Sequence, residues 1–200
     1  RTQPSCKRMI RTPLALVPYM LAIAAVIAGL LWHAGDLVGT QGEASVGGPF
    51  ALVDQNGQAR TDRDFRGRYM LIYFGYTFCP DVCPATLGVM GDALSKLGNP
   101  KRIVPIFITV DPARDKPAVL KTYLKGFGSA FVGLTGSDKA IGDAAHAYRV
   151  YFAKHSLSGG GYAMDHSSTI YLMGPDGRFM GYYDETVGPD ALADDLRKRL

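Results

Sequence analysis

Residues 69–84, YMLIYFGYTFCPDVCP, decide the reading of this chain. Tyr69 to Tyr73 is an unbroken apolar run of strand length and reads as a buried strand. From Pro84 to about Leu97 the apolar positions Leu87, Met90, Leu94 and Leu97 recur every three or four residues, the period of a helix with one buried face. Gly98-Asn99-Pro100 then breaks it. Cys79 and Cys83 therefore stand where a buried strand turns into a helix.

Downstream the alternation continues. Ile103 to Val110 reads as a second apolar strand, Lys116 to Phe127 as a helix opened by Pro117, and Phe131 to Leu134 as a short strand. Ser137 caps a further helix through about Tyr148. Thr169 to Met173 and Phe179 to Tyr183 form a hairpin about Asp176-Gly177, and Pro189 to Leu200 closes as a helix with Lys198 and Arg199 at its C-terminal end. Upstream, Phe50 to Val53 and the turn at Asn56-Gly57 start another hairpin. Strands alternating with helices and ending in an antiparallel pair predict an α/β sandwich with a mixed central sheet, the layout of a thioredoxin-like domain.

At 200 residues and 47% hydrophobic side chains the chain is long and apolar enough for one packed domain, and collagen-like, coiled-coil and wholly disordered classes are excluded. The formal charge of +4 is concentrated at the start, where Arg1, Lys7, Arg8 and Arg11 all precede the first acidic residue, Asp36. The rest is nearly neutral and lacks the basic stripe that nucleic-acid binding requires.

Leu14 to Trp32 contains no charge, and a helix of that length approaches the thickness of a bilayer core. With the basic residues all before it, the positive-inside rule puts residues 1–13 in the cytoplasm, 14–32 in an inner membrane as a single-pass anchor, and the remainder on the periplasmic side. A cleaved secretory signal is the alternative, and either reading exports the domain. Residues 33–48, rich in glycine and small polar side chains, read as a flexible linker to a domain over 49–200.

Thiols at the start of a helix face the positive end of its dipole, which favours the thiolate, at once nucleophile and metal ligand. A full helical turn would hold the two Cβ atoms about 5–6 Å apart, wider than a disulfide wants. That spacing leans toward chelation and leaves a redox pair open. A purely structural disulfide is a weaker reading, since closing so short a loop stabilises a domain of this size by only about 2 kcal/mol. Cys6, on the expected cytoplasmic side, is incidental or palmitoylated.

Of the histidines, His33, His146 and His155 have ordinary surroundings for surface or core residues. His166 differs: Met164-Asp165-His166-Ser167 reads as a loop before the strand at Thr169, and in a thioredoxin-like domain that loop faces the start of the first long helix. Two thiolates with one imidazole suit Cu(I) best, whereas structural zinc usually wants a fourth ligand. Met164 and Asp165 are the neighbours available for that place, and Asp165 is expected instead as a partner orienting the imidazole.

Three stretches resemble the Sco/SenC family, the thioredoxin-like copper-binding assembly factors of cytochrome c oxidase: YFGYTFCPDVCP at 73–84, Asp-Pro-x-Arg-Asp at Asp111 to Asp115, and YAMDHSSTIYLMGPDG at 162–177. The resemblance runs from about Gly48 to Leu200. It implies that Cys79, Cys83 and His166 bind one copper, Cu(I) or also Cu(II), for the binuclear copper site of cytochrome c oxidase subunit II. It further implies a thioredoxin-like reductant or another periplasmic copper chaperone as a partner.

Asp111 to Asp115 is expected to cap the following helix and form a salt bridge. Ser156 to Gly161 reads as a mobile region closing over the metal or as a plain hairpin, with Phe78 and Tyr162 as apolar cover. A thiol:disulfide oxidoreductase using Cys79 and Cys83 is the alternative function, although thioredoxins space their cysteines as Cys-x-x-Cys and carry a cis-proline where Asp165 to Ser167 falls here. A peroxidase is disfavoured because no Arg or Lys is local to the Cys79 turn.

Overall fold

The computed structural model describes residue 20 and residues 22–28, 46–98 and 100–199. It comprises two units, Arg1–Ala44 and Ser45–Leu200. In the first, residue 20 and residues 22–28 are helical, with Met20, Ile23, Val26 and Ile27 exposed. Among the described residues no helix is long and apolar enough to cross a membrane. The expected span over 14–32 lies largely outside them, as do Cys6, His33 and most of the expected linker.

The second unit contains strands β1 (Ala51–Asp54), β2 (Ala59–Thr61), β3 (Tyr69–Gly75), β4 (Ile103–Thr109), β5 (Val132–Thr135), β6 (Phe152–Ser156), β7 (Tyr162–His166), β8 (Ile170–Met173) and β9 (Phe179–Tyr183). Helices α1 (Val82–Lys96), α2 (Pro117–Leu124), α3 (Asp138–Ala147) and α4 (Pro189–Arg199) alternate with them. Seven strands form one sheet in the order β2-β1-β5-β4-β3-β8-β9. β3, β4 and β5 are parallel, while β1 and β8 flank them antiparallel. This is the mixed sheet that the strand–helix alternation predicts.

The two central strands explain themselves from composition. All of β4 and six of the seven positions of β3 are buried, the continuous apolar run of a strand covered on both faces. Parallel neighbours cannot be joined by a tight turn, so α1 carries the chain from β3 to β4 and α2 from β4 to β5. Helix α1 packs against α4, α2 against β5, and α3 against β1. The core between them is dominated by Tyr73, Phe74, Phe107, Tyr148, Leu87 and Met90, all essentially inaccessible.

The register brings Gly75 opposite Thr109, and the Val110 amide donates to the Gly75 carbonyl at 2.8 Å. Both central strands thus end at one level, the position where open α/β sheets place their sites. Glycine is required there: a Cβ on residue 75 would lie 2.8 Å from Cys83 Sγ and 3.0 Å from the Phe107 ring.

Several boundaries differ from expectation. Helix α1 starts at Val82 rather than Pro84, because proline is tolerated in a first turn where its missing N–H has no partner to lose. Helix α2 stops at Leu124, three residues before Phe127. The expected loop around His166 is instead strand β7, paired antiparallel with β6 in a separate two-stranded sheet that Ser156 to Gly161 closes. Exposed residues dominate β6, so it lacked an apolar run to reveal it.

Replacing Gly75 by Ala is expected to destabilise the domain by about 1–3 kcal/mol through overpacking. The urea unfolding midpoint should fall with its slope unchanged.

Candidate metal centre

The site is built on the turn from β3 into α1. Cys79 lies in that turn, half-buried, its amide donating to the Tyr76 carbonyl at 3.2 Å. Cys83 sits one residue inside α1 and is fully buried. The two cysteines therefore do not share a helical turn, and the wide spacing expected from one does not apply. Instead the Cys83 amide donates to Cys79 Sγ at 3.4 Å. The sulfur takes one of the first-turn N–H groups a helix leaves unpaired, in place of Asp81, whose side chain makes no capping bond. Both thiols are free, and no disulfide joins the pair.

His166 enters from the far side, at the end of β7. Its Nε2 is 3.3 Å from Cys83 Sγ, and its Nδ1 is 3.1 Å from the Ser167 carbonyl. A carbonyl can only accept, so Nδ1 carries the proton and Nε2 turns its lone pair to the sulfur. The rings of Tyr73 and Tyr76 meet the imidazole edge-on at 6.0 and 5.8 Å. The Tyr73 hydroxyl donates to Cys83 Sγ at 3.8 Å. The two sulfurs and one imidazole nitrogen all fall within 4.8 Å of one another.

Burial dominates the electrostatics. It pushes the Cys83 thiol up to about 12, with the neighbouring Cys79 adding to the rise and a Tyr76 backbone hydrogen bond opposing it. The helix start was expected to favour the thiolate; at Cys83 desolvation wins. Burial also pushes His166 below its usual value, against the opposing pull of the Ser167 carbonyl, so the imidazole is neutral at pH 7. In the metal-free protein the Cys83 thiol faces a bare imidazole nitrogen, and a cation must displace its proton to bind. Bonds near 2.3 Å to sulfur and 2.0 Å to nitrogen space trigonal donors about 4 Å apart, which these three positions accommodate.

The segment Asp111 to Asp115 supports the site in a way its sequence did not reveal. Asp115 is fully buried and accepts from the Thr77 amide at 2.9 Å, the Thr77 hydroxyl at 2.6 Å and the Thr109 hydroxyl at 2.6 Å. Burial pushes its carboxyl above the usual range while those three bonds pull it back. It does not cap α2, whose N-cap position is taken by Lys116, a residue that makes no side-chain capping bond. The expected salt bridge exists, between Asp111 and Arg114.

Arg114 also overturns the premise that no cation is local to the cysteine turn. Its guanidinium carbon lies 4.6 Å from the Phe78 ring centre, 5.7 Å from Tyr76 and 3.8 Å from Tyr162. Phe78 is 59% exposed and lies over this charge, so it does not cover the site as expected. Asp165 does not orient His166 either; it faces the exposed His155 at 3.2 Å, and the Ser167 carbonyl takes the orienting role.

Comparison with known proteins identifies the family. The SCO1/SenC family model matches residues 38–200. The human mitochondrial SCO2 homologue is 41% identical over 164 residues, covering 79% of this chain and 61% of that protein. The chain thus spans less than two thirds of that relative's length. Copper-bound ScoI of Bradyrhizobium japonicum superimposes with a TM-score of 0.73 at 44% identity, covering 78% of this chain and all of that structure. BsSco, described as a member of the Sco family of cytochrome c oxidase assembly proteins with a disulfide switch, gives 0.61 at 27% identity, covering 78% of this chain and 91% of that one.

Because the folded-state value of His166 lies below the unfolded 6.5, the unfolded chain binds the extra proton between those two values. The contribution of His166 to stability is complete above pH 6.5 and is lost as pH falls toward its lowered value. Urea unfolding of the metal-free protein from pH 7.5 to 5 should show this loss, and His166→Phe should remove that part of the slope.

Proposed function

The chain belongs to the SCO1/SenC family, and from that premise we propose that it carries one copper ion as cargo, bound by Cys79, Cys83 and His166, for assembly of cytochrome c oxidase. The observation that supports this most directly is the convergence of two sulfurs and a neutral imidazole within 4.8 Å, in a chain similar to a protein solved with copper. Three soft or borderline donors without a fourth suit Cu(I), which tolerates low coordination. Cu(II) is a second state the same donors can hold.

Transfer proceeds by ligand exchange. Cys79 is the more accessible sulfur, so an incoming thiolate of the acceptor bonds to copper there first as the Cys79 bond breaks. Cys83 and His166 let go afterwards, and the oxidation state of the copper does not change. The acceptor in this reading is the binuclear copper site of subunit II. Residues 14–32 anchor the protein in an inner membrane, residues 33–48 tether it, and residues 49–200 work on the periplasmic side. The unbroken apolar run after an exclusively basic N-terminus supports that topology.

A second role for the same thiols is reduction of the acceptor. Here the Cys79 thiolate attacks a partner disulfide and forms a mixed disulfide, releasing one partner thiolate. Cys83, once deprotonated, attacks Cys79 Sγ and releases the other. The partner gains two electrons and this pair loses them, to be restored by a thioredoxin-like reductant. The half-exposed Cys79 above the buried Cys83 supports that order of attack.

The deciding experiment measures copper stoichiometry and affinity of the full chain in detergent. One copper per chain is expected. Cys79→Ser, Cys83→Ser and His166→Ala should each weaken it by more than the roughly 10–100-fold that loss of an outer partner costs. Little copper in the wild type, with a readily cycled Cys79–Cys83 disulfide, would establish the reductase instead.

A further inference from the structure

The strand that presents His166 belongs to a hairpin with its own small sheet, and no ladder joins β6–β7 to the seven-stranded sheet. At its base the hairpin is fixed by the Ser167 amide on the Tyr151 carbonyl at 3.0 Å, by the Tyr151 amide on Ser167 Oγ at 3.2 Å, and by the buried Met164. Beyond the base, residues 154–161 are exposed. Among the described residues, the side-chain hydrogen bonds from this outer half to the main domain all converge on Tyr162.

There Arg114 Nη1 donates to the Tyr162 carbonyl at 3.1 Å and the Tyr162 hydroxyl donates to Asp111 Oδ1 at 2.9 Å. Arg114 Nε is paired with the other Asp111 oxygen. The guanidinium carbon lies 3.8 Å from the Tyr162 ring centre, and Lys154 Nζ is 3.7 Å from the same centre. The same guanidinium lies 4.6 Å from Phe78, the residue before Cys79. One side chain therefore touches both halves of the candidate centre: the turn that bears Cys79 and the strand that bears His166.

We propose that Arg114 is a positioning residue, a latch that holds the His166 hairpin against the cysteine turn and sets how fast the centre opens. Two features make it a latch and not a permanent staple. Its Nη2 is buried with no hydrogen-bond partner among the described residues. Closing thus strips water from that nitrogen without replacement, and opening restores it, which offsets part of what the closed contacts contribute. In addition, every contact it makes across the seam is a single hydrogen bond or ring face, and residues 154–161 of the hairpin lie exposed. Only a planar fork can bond the Tyr162 carbonyl and Asp111 at once while lying flat on aromatic rings, so lysine cannot replace it.

The consequence for copper rests on the reading above; the latch itself does not. Opening withdraws His166 from the two sulfurs, so the latch governs entry and exit of the metal alike and leaves the closed-state affinity nearly unchanged. The test compares the full chain in detergent with Arg114→Lys and Tyr162→Phe. In the metal-free protein, amide hydrogen exchange at residues 152–166 should rise about tenfold in Arg114→Lys, as expected for loss of a charge-assisted hydrogen bond, and less in Tyr162→Phe. Exchange in β3 and β4 should stay at the wild-type level. Removal of Cu(I) by a soluble bidentate chelator should accelerate by a similar factor while the equilibrium affinity moves far less.

Unchanged exchange in the hairpin would overturn the latch. So would a uniform rise across β3, β4 and the hairpin, because that marks a merely structural residue. Faster exchange in the hairpin with unaltered copper removal would confine Arg114 to holding the hairpin and overturn its role in metal exit. A wild type that takes up no copper would defeat the proposed function, while the exchange data would still decide the latch.

Discussion

The centre depends on one buried carboxylate. Asp115 lies beyond the end of β4, yet its oxygens accept from Thr77 in the turn after β3 and from Thr109 at the last position of β4. Adjacent parallel strands are joined by a ladder only along their length, and where they end nothing in the sheet fixes the chains that leave them. Asp115 supplies that missing bond. It holds Thr77 two residues before Cys79, so the path of the cysteine turn is set by a group fixed to β4 and not by the turn's own preferences. The cost of burying a carboxyl is met by three donors, a number that leaves little freedom to rearrange.

Upon that fixed turn the two sulfurs acquire different characters from their depth alone. Cys83 is enclosed by Tyr73, Gly75 and the start of α1, and burial holds it as a thiol. Cys79 is half-exposed and receives a backbone N–H. The imidazole opposite is neutral for the same reason that Cys83 is protonated: neither charged form is well solvated there. A cation entering the gap reverses both conditions, since it stabilises the Cys83 thiolate and uses the lone pair that Nε2 already offers. Cys83 and His166 are thus both neutral when the centre is empty, and metal binding releases the Cys83 proton.

Much of the fold was legible because its strands are apolar runs and its helices periodic. β3 and β4 announce themselves by composition, α1 by Leu87, Met90 and Leu94, and the β8–β9 hairpin by Asp176-Gly177. The site was legible in its donors and not in its supports. Cys79, Cys83 and His166 carry chemistry in their side-chain types, whereas Asp115, Arg114 and Tyr162 act through contacts 38 and 48 positions distant in the chain. The β7 strand was missed even though Tyr162, Met164 and His166 alternate with Ala163 and the exposed Asp165. That short alternation was a strand signal, obscured by the glycine-rich turn before it and by the weak apolar content of β6. The acidity of Cys83 was misjudged for a related reason: the helix dipole can be read from position, but depth of burial cannot.

These observations locate the division of labour within the centre. The cysteine side rests on the central sheet through Asp115, Gly75 and the first turn of α1, all within the best-packed part of the domain. The histidine side rests on a two-stranded sheet, which alone is only marginally stable and takes its position from what it leans on. A site whose ligands all stood on the central sheet would bind metal well and release it only with unfolding. One whose third ligand stands on a separately hinged hairpin can let the metal go at the cost of a few local contacts, while both sulfurs keep their places for the next ion.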